Sequence, residues 1–195
     1  MTPGRADWER RHEGRHVAGD DHAPDAAPSD FLLAQAACIH GRVLDVAAGA
    51  GHNALFLARL GHVVEAIDIA HSGLRQLRAR ACASGLRVLT VQADLETFPL
   101  PRDRYDAVIN FRYLQRSLLE PLQRALKPGG VIVFETFLLD QRTIGHPRNP
   151  DYLLRRGELQ MAFAGCEILV YEEGLFASTT QPTYLARMVA RRRRD

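Results

Sequence analysis

Apolar residues recur along the chain in short, nearly unbroken blocks, with longer stretches of mixed character between them. The blocks at 43–47, 63–67, 88–92, 106–110 and 131–136 read as strands buried on both faces. The mixed stretches at about 53–60, 72–84 and 115–126 read as helices, and such alternation predicts βαβ units with a parallel sheet. Upstream, "PSDFLLAQAACIHG" predicts a helix that starts at Ser29 or Asp30 as N-cap and ends near Gly41. After residue 137 the rhythm breaks into a polar loop, "DQRTIGHPRNPD", a helix around 152–164, and two strand blocks at 167–173 and 183–191. Residues 1–28 are polar and rich in Gly, Pro, Asp and His, which predicts a loosely held arm with one helical turn around Trp8. No internal repeat or low-complexity linker divides 29–195, so a single α/β domain is expected there.

Composition narrows the picture. A chain of 195 residues with 46% hydrophobic content buries one sizeable core. Its 25% of charged residues and net charge of +2 exclude disorder and a globally basic nucleic-acid binder. Cys38, Cys82 and Cys166 are odd in number and widely spaced without a CxxC pair, so they read as reduced thiols rather than a disulfide frame or a zinc site. His12 and His16 have helical spacing but lack a third ligand nearby, and no metal is expected. No apolar run nears the roughly 20 residues of a membrane span, and the polar start lacks a signal-peptide apolar region, so a soluble, cytoplasmic protein is expected. The terminal "ARRRRD" reads as a solvated tail, with phosphate binding as the competing reading.

The chemistry concentrates in "VLDVAAGAGHNALFLARLGHVVEAIDIA", residues 43–70. Two buried strands joined through a helix need no acids to fold, yet Asp45 and Asp68 end both of them. Gly49 and Gly51 form a loop at the carboxyl edge of the first strand, where ligands of open parallel sheets bind. There glycine permits a tight turn and close ligand approach. Gly49 to Ala54 also satisfies the permissive dinucleotide pattern G-x-G-x-x-A, a weak signal alone. Asp68 falls 19 positions after Gly49, where a carboxylate accepts hydrogen bonds from both ribose hydroxyls. Asp45 precedes the loop and would repel a pyrophosphate. The pair suits a ligand with an adenosyl ribose and a positive group but no phosphate.

"VLDVAAGAG" resembles the first motif of the class I S-adenosylmethionine-dependent methyltransferases, with Ala47 and Ala48 where many members have Gly and Cys. "EAIDIA" resembles the second motif and "VQADLETFPL" the third; "YDAVINFRYL" looks like the fourth strand, and "ALKPGGVIVFETF" like the Pro-Gly-Gly turn into the fifth. In order, these motifs cover residues 43–136. The resemblance implies a Rossmann-like, doubly wound, mostly parallel sheet of seven strands, with the last strand antiparallel and inserted between strands five and six. Within the family, Trp8, "PSDFL" and "GHNALFLARLGHVVEAIDIAHSGL" look similar to the small bacterial tellurite-resistance group, with His52 in place of a usual Arg. In that group the N-terminal arm folds over the cofactor.

The resemblance implies S-adenosylmethionine as cofactor, held by Trp8, Asp45, Ala47, Gly49, Gly51, Asn53, Asp68, Ile69, Asp94, Leu95, Asn110 and Phe111. Asp94 would accept from the adenine amino group, Leu95 would pack on the ring, and Asn110 and Phe111 would face the methyl group. Arg112, Tyr113 and Arg116 follow directly and are candidates for holding an anionic acceptor. For Arg112 and Arg116 the alternative is decoration of a solvent-facing helix. His146 and Arg148, with Asn149, either form the other wall of an acceptor pocket or belong to an ordinary surface loop. The expected activity is methyl transfer to a small-molecule acceptor, anionic or of sulfur or chalcogen type. The alternatives are a nucleic-acid methyltransferase, a nicotinamide oxidoreductase, whose phosphates conflict with Asp45, and a catalytically silent binding protein.

Overall fold

A computed structural model describes residues 27–177 and 181–194. Trp8 and nearly all of the arm lie outside the described residues. The strands are β1 (Arg42–Val46), β2 (Val63–Asp68), β3 (Val88–Gln92), β4 (Tyr105–Phe111), β5 (Leu126–Phe137), β6 (Glu167–Phe176) and β7 (Thr183–Arg191). The helices are α1 (Asp30–Gln35), α2 (His52–Arg59), α3 (His71–Ala83), α4 (Leu119–Ala125) and α5 (Glu158–Ala162). Seven strands form one sheet in the order β3-β2-β1-β4-β5-β7-β6, with β7 antiparallel to both neighbours. Every other adjacent pair is parallel.

Alternating side chains along the strands feed two cores. Val43, Ile109, Val131 and Val133 point toward α1, α2 and α3, where Leu32, Leu55, Leu57, Leu74 and Leu77 are fully or almost fully buried. Leu44, Val108, Ile132 and Phe134 point the other way, onto Leu122, Leu159 and Phe163 of the α4–α5 side. This two-sided burial is why the central strands read as unbroken apolar blocks.

Three expectations change. The helix expected over 152–164 contracts to Glu158–Ala162. Leu153 and Leu154 are buried, and the Leu154 amide donates to Phe137 O at 2.9 Å while its carbonyl accepts from Leu139 N at 2.8 Å. A helix there would forfeit both bonds. The helix expected to reach Gly41 stops at Gln35 and tightens into a single 3₁₀ turn, Ala36–Cys38, before Ile39 extends toward β1. The terminal arginines are not a free tail. Arg191 pairs with Glu167 at 3.1 Å, Arg192 with Asp103 at 2.6 Å, and Arg193 Nε donates to Gly165 O at 3.2 Å.

At the amino ends of the strands, Glu65 accepts from Arg42, from Arg104 and from the Tyr105 hydroxyl at 2.7 Å. Burial pushes its carboxyl up, but bonds from Arg104 and Tyr105 and the charges of Arg104 and Arg42 outweigh it and leave it below its usual value. The polar network lies opposite the edge where the glycine loop sits, so that edge is left for chemistry. Among the described residues, no helix is long and apolar enough to cross a membrane, and no group of three or more His, Cys, Asp or Glu could hold a metal ion.

Candidate functional site

The strand order reverses between β1 and β4, and the loop Ala47–Gly51 emerges there. Such a switch point opens a crevice, because the flanking crossovers leave on opposite faces of the sheet. Ala47, Gly49 and Gly51 adopt positive φ values of 53°, 54° and 76°. Gly51 N donates to Ala48 O at 2.8 Å and Ala48 N to Ile67 O at 3.0 Å, which fold the loop back over the end of β2. Gly51 is buried, and a Cβ there would lie 2.4 Å from Leu77 Cδ1 of α3. Packing against Leu77 therefore constrains Gly51 in its own right, beside the expected role in ligand approach. Gly73 completes the arrangement, since a Cβ there would meet Gly49 O at 2.8 Å. Nothing in the spacing of the glycine motif marks Gly73.

Asp68 fastens the loop. Its Oδ2 accepts from Gly49 N and its Oδ1 from Ala70 N, both at 2.7 Å. Each carboxylate oxygen has two acceptor sites, so a diol and the backbone amides can share the group. Asp45 lies deeper than expected, only 2% exposed. It takes a backbone hydrogen bond from Ala54, which ties β1 to the first turn of α2. Among the described residues its Oδ2 has no hydrogen-bond partner. Burial, and secondarily the charge of Asp68, push its carboxyl up to about 8, against the opposing Ala54 bond.

On the β3 side, Asp94 is exposed and Leu95 is buried. Asp94 Oδ1 accepts from Glu96 N at 2.9 Å, so this carboxylate also shapes its own turn. Ile69 is half-buried, with its carbonyl accepting from Gln92 Nε2 at 3.2 Å. Tyr113, expected beside an acceptor, also reaches this side. Burial first, then the charges of Glu96, Asp94 and Asp68, raise its phenol above the usual range, and its hydroxyl donates to Gln115 Oε1. Gln115 Nε2 in turn reaches Leu95 O at 3.4 Å. Asn53 Oδ1 accepts from Ser29 N at 3.1 Å, so the side chain expected on the cofactor holds the chain entering α1 against α2.

On the other side of the crevice, Asn110 is 1% exposed and its Nδ2 donates to Tyr113 O at 2.8 Å, closing the turn after β4. Phe111 is half-buried. Arg112, at φ 56°, turns toward β5, where its Nε lies 3.2 Å from Glu135 Oε1. Arg116 is corrected from an acceptor ligand to a clamp. Its Nε and Nη2 bind both Glu158 oxygens, at 2.6 and 3.1 Å, and its Nη1 and Nη2 reach Asp151 O and Leu153 O, at 2.9 and 2.8 Å. His146 and Arg148 are both exposed, and among the described residues Arg148 donates only from Nε to nearby Gly145 O, at 3.4 Å. The loop that carries them is fastened by Gln141, which donates to His146 O at 3.1 Å and accepts from Tyr184 N at 2.8 Å. A pair missed by the sequence reading sits beside this wall: Glu135, 1% exposed, and Arg187, whose Nε donates to Glu135 Oε2 at 2.7 Å.

Residues 43–130 match a family model described as a methyltransferase domain. A demethylmenaquinone methyltransferase of Clavibacter sepedonicus is 38% identical over 102 residues, 49% of this chain and 41% of that protein. The chain spans about two fifths of the length of the curated relatives it matches. Among solved structures, TehB from Haemophilus influenzae superposes with a TM-score of 0.72 and 18% identity, over 97% of this chain and 67% of TehB. A structure described for conversion of a disulfide bond into a thioacetal group during echinomycin biosynthesis superposes with a TM-score of 0.75 and 23% identity, over 97% of this chain and 92% of that one. At these identities the structural likeness is one of fold.

Proposed function

We propose that this chain, whose residues 43–130 carry a class I S-adenosylmethionine-dependent methyltransferase domain, transfers the methyl group of S-adenosylmethionine to a small-molecule acceptor. The observation that carries the reading is the acid pair around the glycine loop. Asp68 Oδ2 occupies the Gly49 amide, one of the donors a pyrophosphate would use, and Asp45 lies buried behind it with one oxygen unbonded among the described residues. An amide already taken by the Asp68 carboxylate is denied to a phosphate, and the same carboxylate suits a diol. The residues present fit the cofactor: Asp68 for the ribose hydroxyls, Leu95 and Ile69 for the adenine, Asp94 for its amino group, and Gly49 with Ala47 for the amino-acid moiety. Asp45, whose carboxyl is raised to about 8, would supply negative charge behind the loop as pH rises toward that value, and Asn110 and Phe111 would border the methyl group.

When bound, the cofactor supplies a methyl group already activated on a sulfonium. Displacement at such a carbon needs alignment and exclusion of water more than acid–base help. The chain provides alignment through Asn110, which rigidifies the turn after β4, and through Arg116, which clamps the loop after β5. Residues 1–28 are proposed as the cover of the crevice, with Trp8 over the cofactor, and 29–195 as one domain. The bond from Ser29 N to Asn53 Oδ1 roots that arm at the start of α2. Support for a small acceptor comes from the relative named for demethylmenaquinone and from the resemblance of the sequence motifs to the tellurite-resistance group.

The test is a panel of acceptors, including tellurite, selenite, thiols, quinols and carboxylic acids, read by mass of the methylated product and by release of S-adenosylhomocysteine. Donor turnover with product of one added methyl supports the reading. Binding of NADH in preference to S-adenosylmethionine would overturn it.

A further inference from the structure

The methyl-transfer reading leaves unexplained two half-buried arginines that share one buried carboxylate. Glu135 stands one strand across from Phe111 and is paired in register with Arg187 of β7. At about 4.8 Å per strand, its Cα lies roughly 10 Å from the end of β1, within reach of a small molecule in the crevice. The Arg187 guanidinium carbon lies 3.9 Å from the Phe176 ring centroid and 5.4 Å from that of Phe31; the Arg112 carbon lies 4.8 Å over Phe137. Stacking fixes both guanidinium planes. The Arg187 Nε donates to Glu135 Oε2 at 2.7 Å, while the Arg112 Nε lies 3.2 Å from Glu135 Oε1 off-line, so that among the described residues Oε1 has no hydrogen bond. Among the described residues, the Nη atoms of both arginines take no hydrogen bond. Their side chains keep 28% and 18% exposure.

Within ion-pair distance the cluster holds two cations and one anion; Glu172, the register partner of Arg187 on β6, is exposed and forms no ion pair with it among the described residues. A structural ion pair needs one arginine for one carboxylate. The second is surplus, and in a half-buried aromatic setting a surplus charge is costly unless something answers it. We infer that Arg112 and Arg187, held by Glu135, form the acceptor subsite for a singly charged oxyanion such as a carboxylate, with Phe31, Phe137 and Phe176 flanking its organic body. Fork-shaped guanidinium edges suit a planar carboxylate through paired N–H donors. The inference rests on the methyl-transfer reading for what the site is used for. Arg187 is a specificity residue lying 75 positions after Arg112.

The full-length protein is titrated at low salt with benzoate and with its neutral counterpart benzamide, with and without S-adenosylhomocysteine. Benzoate should bind about tenfold more tightly than benzamide, and Arg187→Gln and Arg112→Gln should each remove most of that preference. Glu135→Gln, which removes the carboxylate that holds both guanidinium groups and one negative charge, should change the benzoate-to-benzamide ratio severalfold; it also decides the matter if Arg187→Gln fails to fold. A purely structural cluster would change stability and leave the benzoate-to-benzamide ratio untouched. Equal binding of the two probes by the wild type, or a ratio unmoved in Glu135→Gln, overturns the inference while S-adenosylhomocysteine binding still stands. An arginine-dependent benzoate site in a protein that does not bind S-adenosylhomocysteine overturns its assignment as an acceptor site, together with the methyl-transfer reading.

Discussion

Replacing Asp68 by Ala tests the loop and the cofactor crevice together. The carboxylate accepts two backbone amides at 2.7 Å and is 7% exposed. Hydrogen bonds to a charged group contribute roughly 1.5–3 kcal/mol each, and the abandoned Gly49 and Ala70 amides regain water only in part. A stability loss of about 3 kcal/mol is expected, or about 6–12 °C in Tm for a domain of this size. Independently, losing the diol acceptor should weaken S-adenosylhomocysteine by roughly tenfold to a hundredfold. The conservative Asp68→Asn keeps the shape and one acceptor oxygen but turns an NH₂ toward one of the two amides. It should lose about half the stability and most of the affinity. Urea unfolding and calorimetry at 15 °C, where both variants are folded, separate the two effects. An Asp68→Ala protein as stable as wild type would refute the loop geometry. One that is destabilised but binds with unchanged affinity would confine Asp68 to a structural role.

Other outcomes follow from the same geometry. Asp45 is raised to about 8 in the fold and is about 3.9 unfolded, so the unfolded state releases its proton first and stability falls as pH rises from about 4 to 8, by an amount on the order of 5 kcal/mol. Asp45→Asn should remove that slope and exceed wild-type stability at pH 8 but not near pH 4.5; parallel urea curves for the two proteins at both pH values would contradict it. Gly51→Val, which drives a side chain into Leu77, should lower Tm by well over 5 °C or prevent folding; a variant with wild-type Tm that has lost only cofactor binding would confine Gly51 to ligand approach. Deleting residues 1–28 should reduce turnover far more than Tm, and in the intact chain Trp8 fluorescence should respond to cofactor. Full turnover by the truncated protein, with fluorescence blind to cofactor, would assign the arm no role.

The strands and the crevice were legible because their signals are local. Blocks such as Val43–Val46 and Val131–Phe134 declare two-sided burial without reference to anything distant, and the separation of Gly49 from Asp68 is set by one intervening helix. The insertion of β7 between β5 and β6 came from family resemblance, since no local pattern encodes it. The residues whose partners were not legible are held by contacts distant in sequence. Arg116 looked like a ligand until Glu158, 42 positions away, claimed its guanidinium. Glu135 and Arg187, 52 positions apart, meet only through the β5–β7 register. Gly51 fits the ligand motif, and a further constraint comes from Leu77 on another helix. The terminal arginines look solvated in sequence because Asp103, Glu167 and the Gly165 carbonyl are brought to them by the fold.

The central claim is that the crevice between β1 and β4 takes an adenosyl sulfonium rather than a dinucleotide. Isothermal titration of the full-length protein with S-adenosylmethionine, S-adenosylhomocysteine and NADH at pH 8 tests it directly. The account predicts one site for each of the first two, stronger for the cationic donor as pH rises and Asp45 ionises, and no heat from NADH. Saturable NADH binding, or no heat from either S-adenosyl compound, would contradict it.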